Sequence, residues 1–384
     1  MKRFCVVAML AGVAIPVMLL TGRVSAQNGN PINSGSANET TLAVFGDWPY
    51  SANLLNAAPL LIDSINGDPK VRLVMHVGDI HSGSMPCTGA LGSPKVPTVP
   101  ATADPSYNVR IFNLFEQFKD PVVYTPGDNE WTDCHKTAQG TSGYPLYELA
   151  AVRNLFFFRP GYTIGGQKKR VVSQAEAFET EHPSDAQFVE NVMWEESQVL
   201  FVTLNVPGSN DDTLPWSGGT ASVPGAPYPA KAFLDEPARA QEVTERQAAN
   251  HRWLAAAFAL AKRDGMKGVL IGIQADMWDT TAALDAYTPF VTELANLTLD
   301  FGRPVLLING DSHLYGKDQP LADPASVLGQ VHKFPKPVPN FSRITVQGST
   351  NVPHEWLRLT INPRTAEIFS FENVIYCAID PCTT

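Results

Sequence analysis

Five times in 384 residues a glycine is followed by an aspartate, where 28 glycines and 21 aspartates scattered at random would meet only once or twice. Four of the five pairs close an apolar run. Leu42-Ala43-Val44-Phe45 leads into Gly46-Asp47, Val71 to Val77 into Gly78-Asp79, Val122-Val123-Tyr124 toward Gly127-Asp128, and Val305 to Ile308 into Gly310-Asp311. Short apolar runs bounded by turn residues read as buried strands, so each aspartate stands at a strand's C-terminal mouth. The fifth pair, within Asn66-Gly67-Asp68-Pro69, reads as an ordinary turn. In open α/β sheets, ligands bind beyond the carboxyl ends of strands. Four carboxylates gathered there repel one another, and several stay protonated at neutral pH unless a cation joins them. The chemistry on offer is that of one divalent cation, or of two bridged by a shared carboxylate.

The elements that must position these groups alternate along the chain. Helical spacing runs from Leu54 to Ile65, Tyr107 to Phe118 and Leu146 to Phe158, the last ending at the breaker Arg159-Pro160-Gly161. Gln187–Trp194 and Gln198–Val206 read as a pair of strands. Glu242 to Arg263 is the strongest helix, closed by Asp264-Gly265. Strands at 267–273 and 304–308 flank a helix near 287–297. Phe341–Gln347, Trp356–Ile361 and Ala366–Phe371 read as antiparallel strands. Long loops rich in Pro and Gly are expected at 82–106, 207–240 and 316–340. There is no internal repeat and no clean linker, so residues 41–384 read as a single α/β domain.

The chain starts with Met1-Lys2-Arg3, an apolar stretch from Phe4 to Leu20 and the small-x-small site Val24-Ser25-Ala26, which reads as a signal peptide over 1–26. Pro16 and Gly12 interrupt that stretch, which is short for a membrane span. A flexible leader follows over 27–40. The reading is an exported protein, periplasmic or secreted, with no membrane association after cleavage. Residues 1–26 carry three cationic side chains and no acid, so their removal takes the net charge from −10 to −13. Such a surface disfavours nucleic acid, and any affinity for phosphate must come from a local cation. Of the four later cysteines, Cys377 and Cys382 suit a small local loop. Cys87 and Cys134 follow Asp79 and Asp128 by eight and six residues, so a Cys87–Cys134 bridge is expected if those aspartates converge; three pairings are open in all.

In this order the motifs resemble the calcineurin-like metallophosphoesterases, and within them the exported members similar to purple acid phosphatases. The family pattern is Asp-x-His, Gly-Asp, Gly-Asn-His-Asp/Glu, a His after a strand, and Gly-His-x-His. Its counterparts are Asp47-Trp48-Pro49, Gly78-Asp79, Gly127-Asp128-Asn129-Glu130, Gln274-Ala275-Asp276 and Gly310-Asp311-Ser312-His313. The helix with Gln247 and Trp253-Leu254 is also similar to family members. The resemblance covers roughly residues 41–315 and implies a four-layer α/β/β/α sandwich of two mixed sheets flanked by helices. It also implies hydrolysis of a phosphate mono- or diester by metal-activated water.

Asp47, Asp79 and His313 match the family's ligands unchanged. Pro49, Asp128, Asn129, Gln274 and Asp311 depart from it. The implied metal ligands are Asp47, Asp79 (the bridge), Asp128, Gln274, Asp311 and His313, with Asp276 replacing Gln274 if the loop register differs by two. This set is almost all oxygen and favours Mg²⁺, Mn²⁺ or Ca²⁺ over Zn²⁺ or iron. The tyrosine that purple members carry three residues after the second aspartate is Ser82, so no iron chromophore is expected. Asn129 stands where the family's catalytic histidine faces the scissile phosphate; its amide can donate a hydrogen bond but not a proton. His81, with His135 behind it, is the candidate for that proton. His76 reads as a core histidine, and His354 as one more group near the mouth. The partner expected is a small-molecule phosphoester. The competing reading, favoured by the lost histidines, is a catalytically inactive binding module on the same fold.

Overall fold

The protein is described here by a computed structural model covering residues 38–85, 87, 107–136, 144–216 and 236–382. The signal sequence expected over 1–26, most of the leader and much of the loops at 82–106 and 207–240 lie outside the described residues. The chain divides into two units, Met1–Pro31 and Ile32–Thr384, and everything described belongs to the second. Among the described residues, no helix is long and apolar enough to cross a membrane.

The strands are β1 (Thr40–Phe45), β2 (Val71–His76), β3 (Pro121–Tyr124), β4 (Ile164–Gly165), β5 (Val172–Ser173), β6 (Val192–Glu196) and β7 (Val199–Thr203). They continue with β8 (Gly268–Gly272), β9 (Val305–Asn309), β10 (Gly316–Asp318), β11 (Phe341–Thr345), β12 (His354–Ile361) and β13 (Phe369–Cys377). One sheet has the order β13-β12-β1-β2-β3-β4 and the other β10-β11-β9-β8-β7-β6-β5. Both are mixed: β1, β2 and β3 are parallel, as are β7, β8, β9 and β11, and antiparallel strands cover the edges.

Why the central strands read as unbroken apolar runs is visible in β1. Leu42 and Val44 face the second sheet, packing with Phe201, Leu270 and Ile308, whereas Ala43 and Phe45 face the helices. A strand buried on both faces has no polar side to show. Helices α1 (Ala52–Asn56), α2 (Ala58–Gly67), α3 (Tyr107–Phe115) and α4 (Pro145–Phe156) lie on the first sheet's side, where Leu61, Ile62, Phe115 and Phe156 pack on Phe45 and Val74. Helices α5 (Glu236–Arg263) and α6 (Thr288–Phe301) cover the second sheet through Trp253, Leu254, Phe258 and Leu294 against Val269 and Ile271. The result is the α/β/β/α sandwich.

Two expectations change. The helix expected over 54–65 is two helices, broken at Ala57, because Pro59 lacks an N–H and its ring would meet the carbonyl four residues back; the second helix restarts with this proline in its first turn. β11 does not join β12 and β13 but belongs to the opposite sheet, antiparallel to the edge strand β10 and parallel to β9. The segment 319–340 carries the chain back to the start of β9, where Val305 N–H donates to the Asn340 carbonyl at 2.9 Å. The strand pair expected near 187–206 is present as β6 and β7, closed by Ser197 and Gln198 with φ of 49° and 60°, the left-handed pair a tight hairpin turn demands.

Candidate metal centre

Parallel pairing aligns Phe45 with His76 and His76 with Tyr124, so the residues that follow β1, β2 and β3 emerge at one edge. In the second sheet Gly272 aligns with Ile308, which places Gln274 and Asp311 side by side; Gly310 N–H donates to the Gln274 carbonyl at 3.0 Å. The sheets meet where Asp311 N–H donates to the Asp47 carboxylate at 3.0 Å. Asp47, Asp79 and Asp311 each turn out of their strands in the left-handed region, with φ of 49°, 62° and 76°. Aspartate tolerates that region better than most residues. The glycine before it is explained by crowding: Gly78 has φ 91°, and a Cβ on Gly127 would sit 2.0 Å from Asp79 Oδ1. At three of the four strand ends the Gly-Asp signal is thus one sharp left-handed turn.

Two groups of side chains that could each hold a metal ion share Asp79. Asp47, Asp79 and His313 bring one donor atom each within 4.8 Å of one another, and so do Asp79, Asp128 and Asp311. Opposed ligands of one cation at bonds of about 2.4 Å are about 4.8 Å apart, so one ion reaches each set. The donor chemistry fits hard divalent cations. The space is left by backbone: a Cβ on Gly208 would lie 2.6 Å from Asp128 Oδ2 and 2.8 Å from Asp311 Oδ1. Burial first, then the charges of Asp128, Glu130, Asp47 and Asp311, hold the Asp79 carboxyl well above the usual range. Asp311 is raised likewise by burial and by Asp128. Asp128 is pushed up to about 7 by burial and by Asp133. For His313 burial works downward, but the hydrogen bond and charge of Asp47 outweigh it and its pKa is raised.

The other expected residues are placed as follows. Asn129 Nδ2 donates to Asp79 Oδ2 at 2.8 Å, and its backbone N–H to Asp79 Oδ1 at 3.2 Å. Gln274 has both ends of its amide engaged: Oε1 accepts from Gly208 N–H while Nε2 donates to Asp128 Oδ1 at 3.2 Å. Asp276 cannot substitute, because its oxygens are held by Arg343, the Trp278 N–H and Ser312 Oγ. His81 is buried, with its ring edge on Tyr107 and Nδ1 beside the Ser82 carbonyl at 3.1 Å; burial lowers its pKa to about 4. His135 is likewise lowered to about 4, chiefly by burial, and stacks on Trp216. His76 is a core histidine bonded to the Trp48 carbonyl and the Gly78 N–H. His354 stands across from Cys377 in the β12–β13 pair.

Three features escaped the sequence reading. Tyr50 Oη donates to Asp79 Oδ2 at 2.7 Å and lies 3.3 Å from Asp47 Oδ1, inside the first ligand group. Glu130 Oε1 accepts from the N–H groups of Gly127 and Asp79 and from the Tyr124 hydroxyl, which fixes the third motif on the second. The segment after β7 winds left-handed over four consecutive residues, Ser209 to Asp212, with φ between 53° and 57°. Each such residue costs about 1–2 kcal/mol. The buried Arg246 holds the turn by bonding both the carboxylate and the carbonyl of Asp211. The turn delivers Ser209 Oγ to within 2.9 Å of Asp128 Oδ2 and 2.7 Å of Asp133 Oδ1, with Lys136 Nζ donating to it at 3.0 Å. Gly208-Ser209-Asn210 reads in sequence as a turn; its signal was a run of residues tolerant of positive φ directly after a strand.

Both expected disulfides are present, Cys87–Cys134 and Cys377–Cys382, with Cα atoms 5.7 and 5.8 Å apart. Such bridges persist in oxidising compartments. The first spans 47 residues and joins the loops after Asp79 and Asp128, and in the chain-entropy picture it is worth about 4 kcal/mol. Replacing Cys87 and Cys134 together by serine is expected to remove 2–4 kcal/mol, roughly the same loss that reduction produces in the native chain. Denaturant unfolding midpoints check this, and an unchanged midpoint would contradict it.

No family model matches the chain, and no curated protein does. Among solved structures, the chain is similar to GAP50, the anchor in the inner membrane complex of Plasmodium, at 11% identity over 88% of this chain and 89% of that one, with a TM-score of 0.38. A likeness at that level carries nothing about activity.

Proposed function

We propose that the protein is an exported metal-dependent phosphoesterase of the calcineurin-like type, acting on a small phosphate mono- or diester. The observation that supports this is the meeting of Asp47, Asp79, Asp128, Asp311 and His313 in two ligand groups that share Asp79. Asp47, Asp79 and His313 would hold one cation, and Asp79, Asp128 and Asp311 a second. Cations of the Mg²⁺, Mn²⁺ or Ca²⁺ type supply Lewis acidity toward the phosphoryl group and lower the pKa of water, which no lone side chain here does.

The chain's own residues do the rest. Asn129 spends its two amide hydrogens on Asp79 and Tyr50 and so holds the shared carboxylate in place. Lys136, tied to Asp133 and Ser209, is the local cation that an acidic protein needs beside an anionic substrate. Gln274 and Ser209 hold Asp128 from two sides. Two disulfides and the apolar N-terminal stretch support export.

The alternative is a binding module without turnover. Its support is specific: Pro49 offers no ligand, and the Asn129 amide cannot protonate a leaving group. Activity on p-nitrophenyl phosphate and on its bis-ester after Mn²⁺ or Mg²⁺ loading separates the two. Turnover of either ester that chelation abolishes supports the enzyme, whereas bound metal with no turnover of either leaves the binding module.

A further inference from the structure

The first ligand group is short of one member. Pro49 occupies the position from which the family presents a histidine, leaving Asp47, Asp79 and His313. Yet a polar atom does stand among them. Tyr50 Oη is 3.3 Å from Asp47 Oδ1, 3.2 Å from His313 Nε2 and 2.7 Å from Asp79 Oδ2. His313 Nε2 is itself 3.3 Å from Asp47 Oδ1. The tyrosine oxygen, the aspartate oxygen and the imidazole nitrogen therefore form a nearly equilateral triangle.

That figure is the face of a coordination octahedron. Adjacent ligands of a six-coordinate ion are separated by the bond length times the square root of two, so bonds of about 2.1–2.3 Å give edges of about 3.0–3.3 Å. These bonds fall between those of Mg²⁺ and the shorter ones of Ca²⁺. A single hydroxyl proton satisfies one acceptor, and the 2.7 Å contact shows it on Asp79. The 3.3 Å contact to Asp47 is the weaker of the hydroxyl's two, and the His313 ring nitrogen stands within reach of both oxygens. The ring is also held: it packs edge-on against His313 with centroids 5.0 Å apart and planes at 88°, and Asn129 Nδ2 donates to its oxygen at 2.9 Å.

We propose that Tyr50 is a metal ligand: its phenol oxygen, one residue past the missing histidine, completes with Asp47, Asp79 and His313 the coordination of a hard divalent cation. The inference rests on the metal reading above and extends it to a residue outside the family's pattern. The second cation, at Asp79, Asp128 and Asp311, takes no part of its shell from Tyr50.

Mn²⁺ binding by equilibrium dialysis, on the purified protein and on Tyr50→Phe, Tyr50→Ala and Asp311→Asn, tests it. The native protein is expected to bind two Mn²⁺. Tyr50→Phe should weaken one of them at least tenfold and leave the other within twofold, and Asp311→Asn should weaken the other one. Addition of Mn²⁺ should also change the near-ultraviolet phenol absorption of the native protein and not that of Tyr50→Phe. Two unchanged binding events in Tyr50→Phe would overturn the proposal and leave the metal reading intact. An extra Mn²⁺ gained by Tyr50→Ala would overturn it in the opposite sense, making the hydroxyl a plug. No Mn²⁺ on the native protein would remove the metal reading and this proposal with it. Coinciding thermal melts of the metal-free native protein and Tyr50→Phe establish that the variant is folded.

Discussion

Asp79→Asn is expected to lower phosphoester hydrolysis by about 1000-fold or more and to release cations from both ligand groups. Asp79 is the one residue common to the two sets, so the substitution acts on both together. Metal-ion stabilisation of transition-state charge is worth several kcal/mol, and each 1.36 kcal/mol is tenfold in rate. The same substitution separates function from folding. In the metal-free protein the Asp79 carboxyl faces Asp128, Glu130, Asp47 and Asp311, which together with burial raise its pKa. Neutralising it relieves that repulsion, so the metal-free variant should melt no lower than the native protein at pH 8. Hydrolysis unchanged in Asp79→Asn would place the active site elsewhere. A large fall in melting temperature would mean that the lost activity reports misfolding.

Raising the pH from 7 to 9 is expected to destabilise the metal-free protein, and a bound cation should remove most of the effect. A carboxyl whose folded pKa lies above its unfolded value of about 3.9 holds a proton in the folded state that the unfolded chain has already released. Stability therefore falls as pH rises between the two values, by about 1.36 kcal/mol per pH unit for each proton difference. Asp128, raised to about 7, has lost most of its share by pH 7. Asp212, pushed up to about 8 by burial and Glu242, still contributes above it, and burial and neighbouring carboxylates raise Asp79 and Asp311 in the same direction. His313 adds to the fall, because its raised pKa means that stability present at low pH is lost as pH rises through the folded value. The buried histidines act with the opposite sign, but below this window. His76, His81 and His135 have folded values of about 3, 4 and 4, so they add stability between pH 4 and about 6.5 and nothing further beyond. The melting temperature of the metal-free protein should thus drop between pH 7 and 9, and Mn²⁺ should raise it more at pH 8 than at pH 6, where protons compete for the same oxygens. A melting temperature flat from pH 7 to 9 without metal would contradict the crowding of ionisable groups described above.

What was legible in the sequence was the part that local rules control. Gly-Asp at the end of an apolar run marks a left-handed exit from a buried strand at Asp47, Asp79 and Asp311, and these meet Asp128 because parallel strands align their C-termini. The bridge between Cys87 and Cys134 followed from the same convergence. What stayed hidden depends on contacts distant in sequence. Pro49 reads as a lost ligand, and only the approach of His313, 263 residues past Tyr50, shows the neighbouring hydroxyl inside the site. Gln274 has a ligand's position but not its orientation, because Gly208 N–H takes the amide oxygen. Ser209 to Asp212 adopts a conformation that costs energy locally and is held by Arg246, a residue of a helix that begins 24 residues later. The sheet that β11 joins was not legible, because strand propensity carries no information about where the connecting loop returns the chain.

The most direct measurement is the divalent-metal content of the purified protein after loading with Mn²⁺ and removal of free ion. Two equivalents are expected, falling by at least one in Asp79→Asn. Fewer than about 0.2 equivalents of Mn²⁺, Mg²⁺ or any other divalent ion would contradict a metal centre at these strand ends, since such a site binds its ion as part of its folded structure.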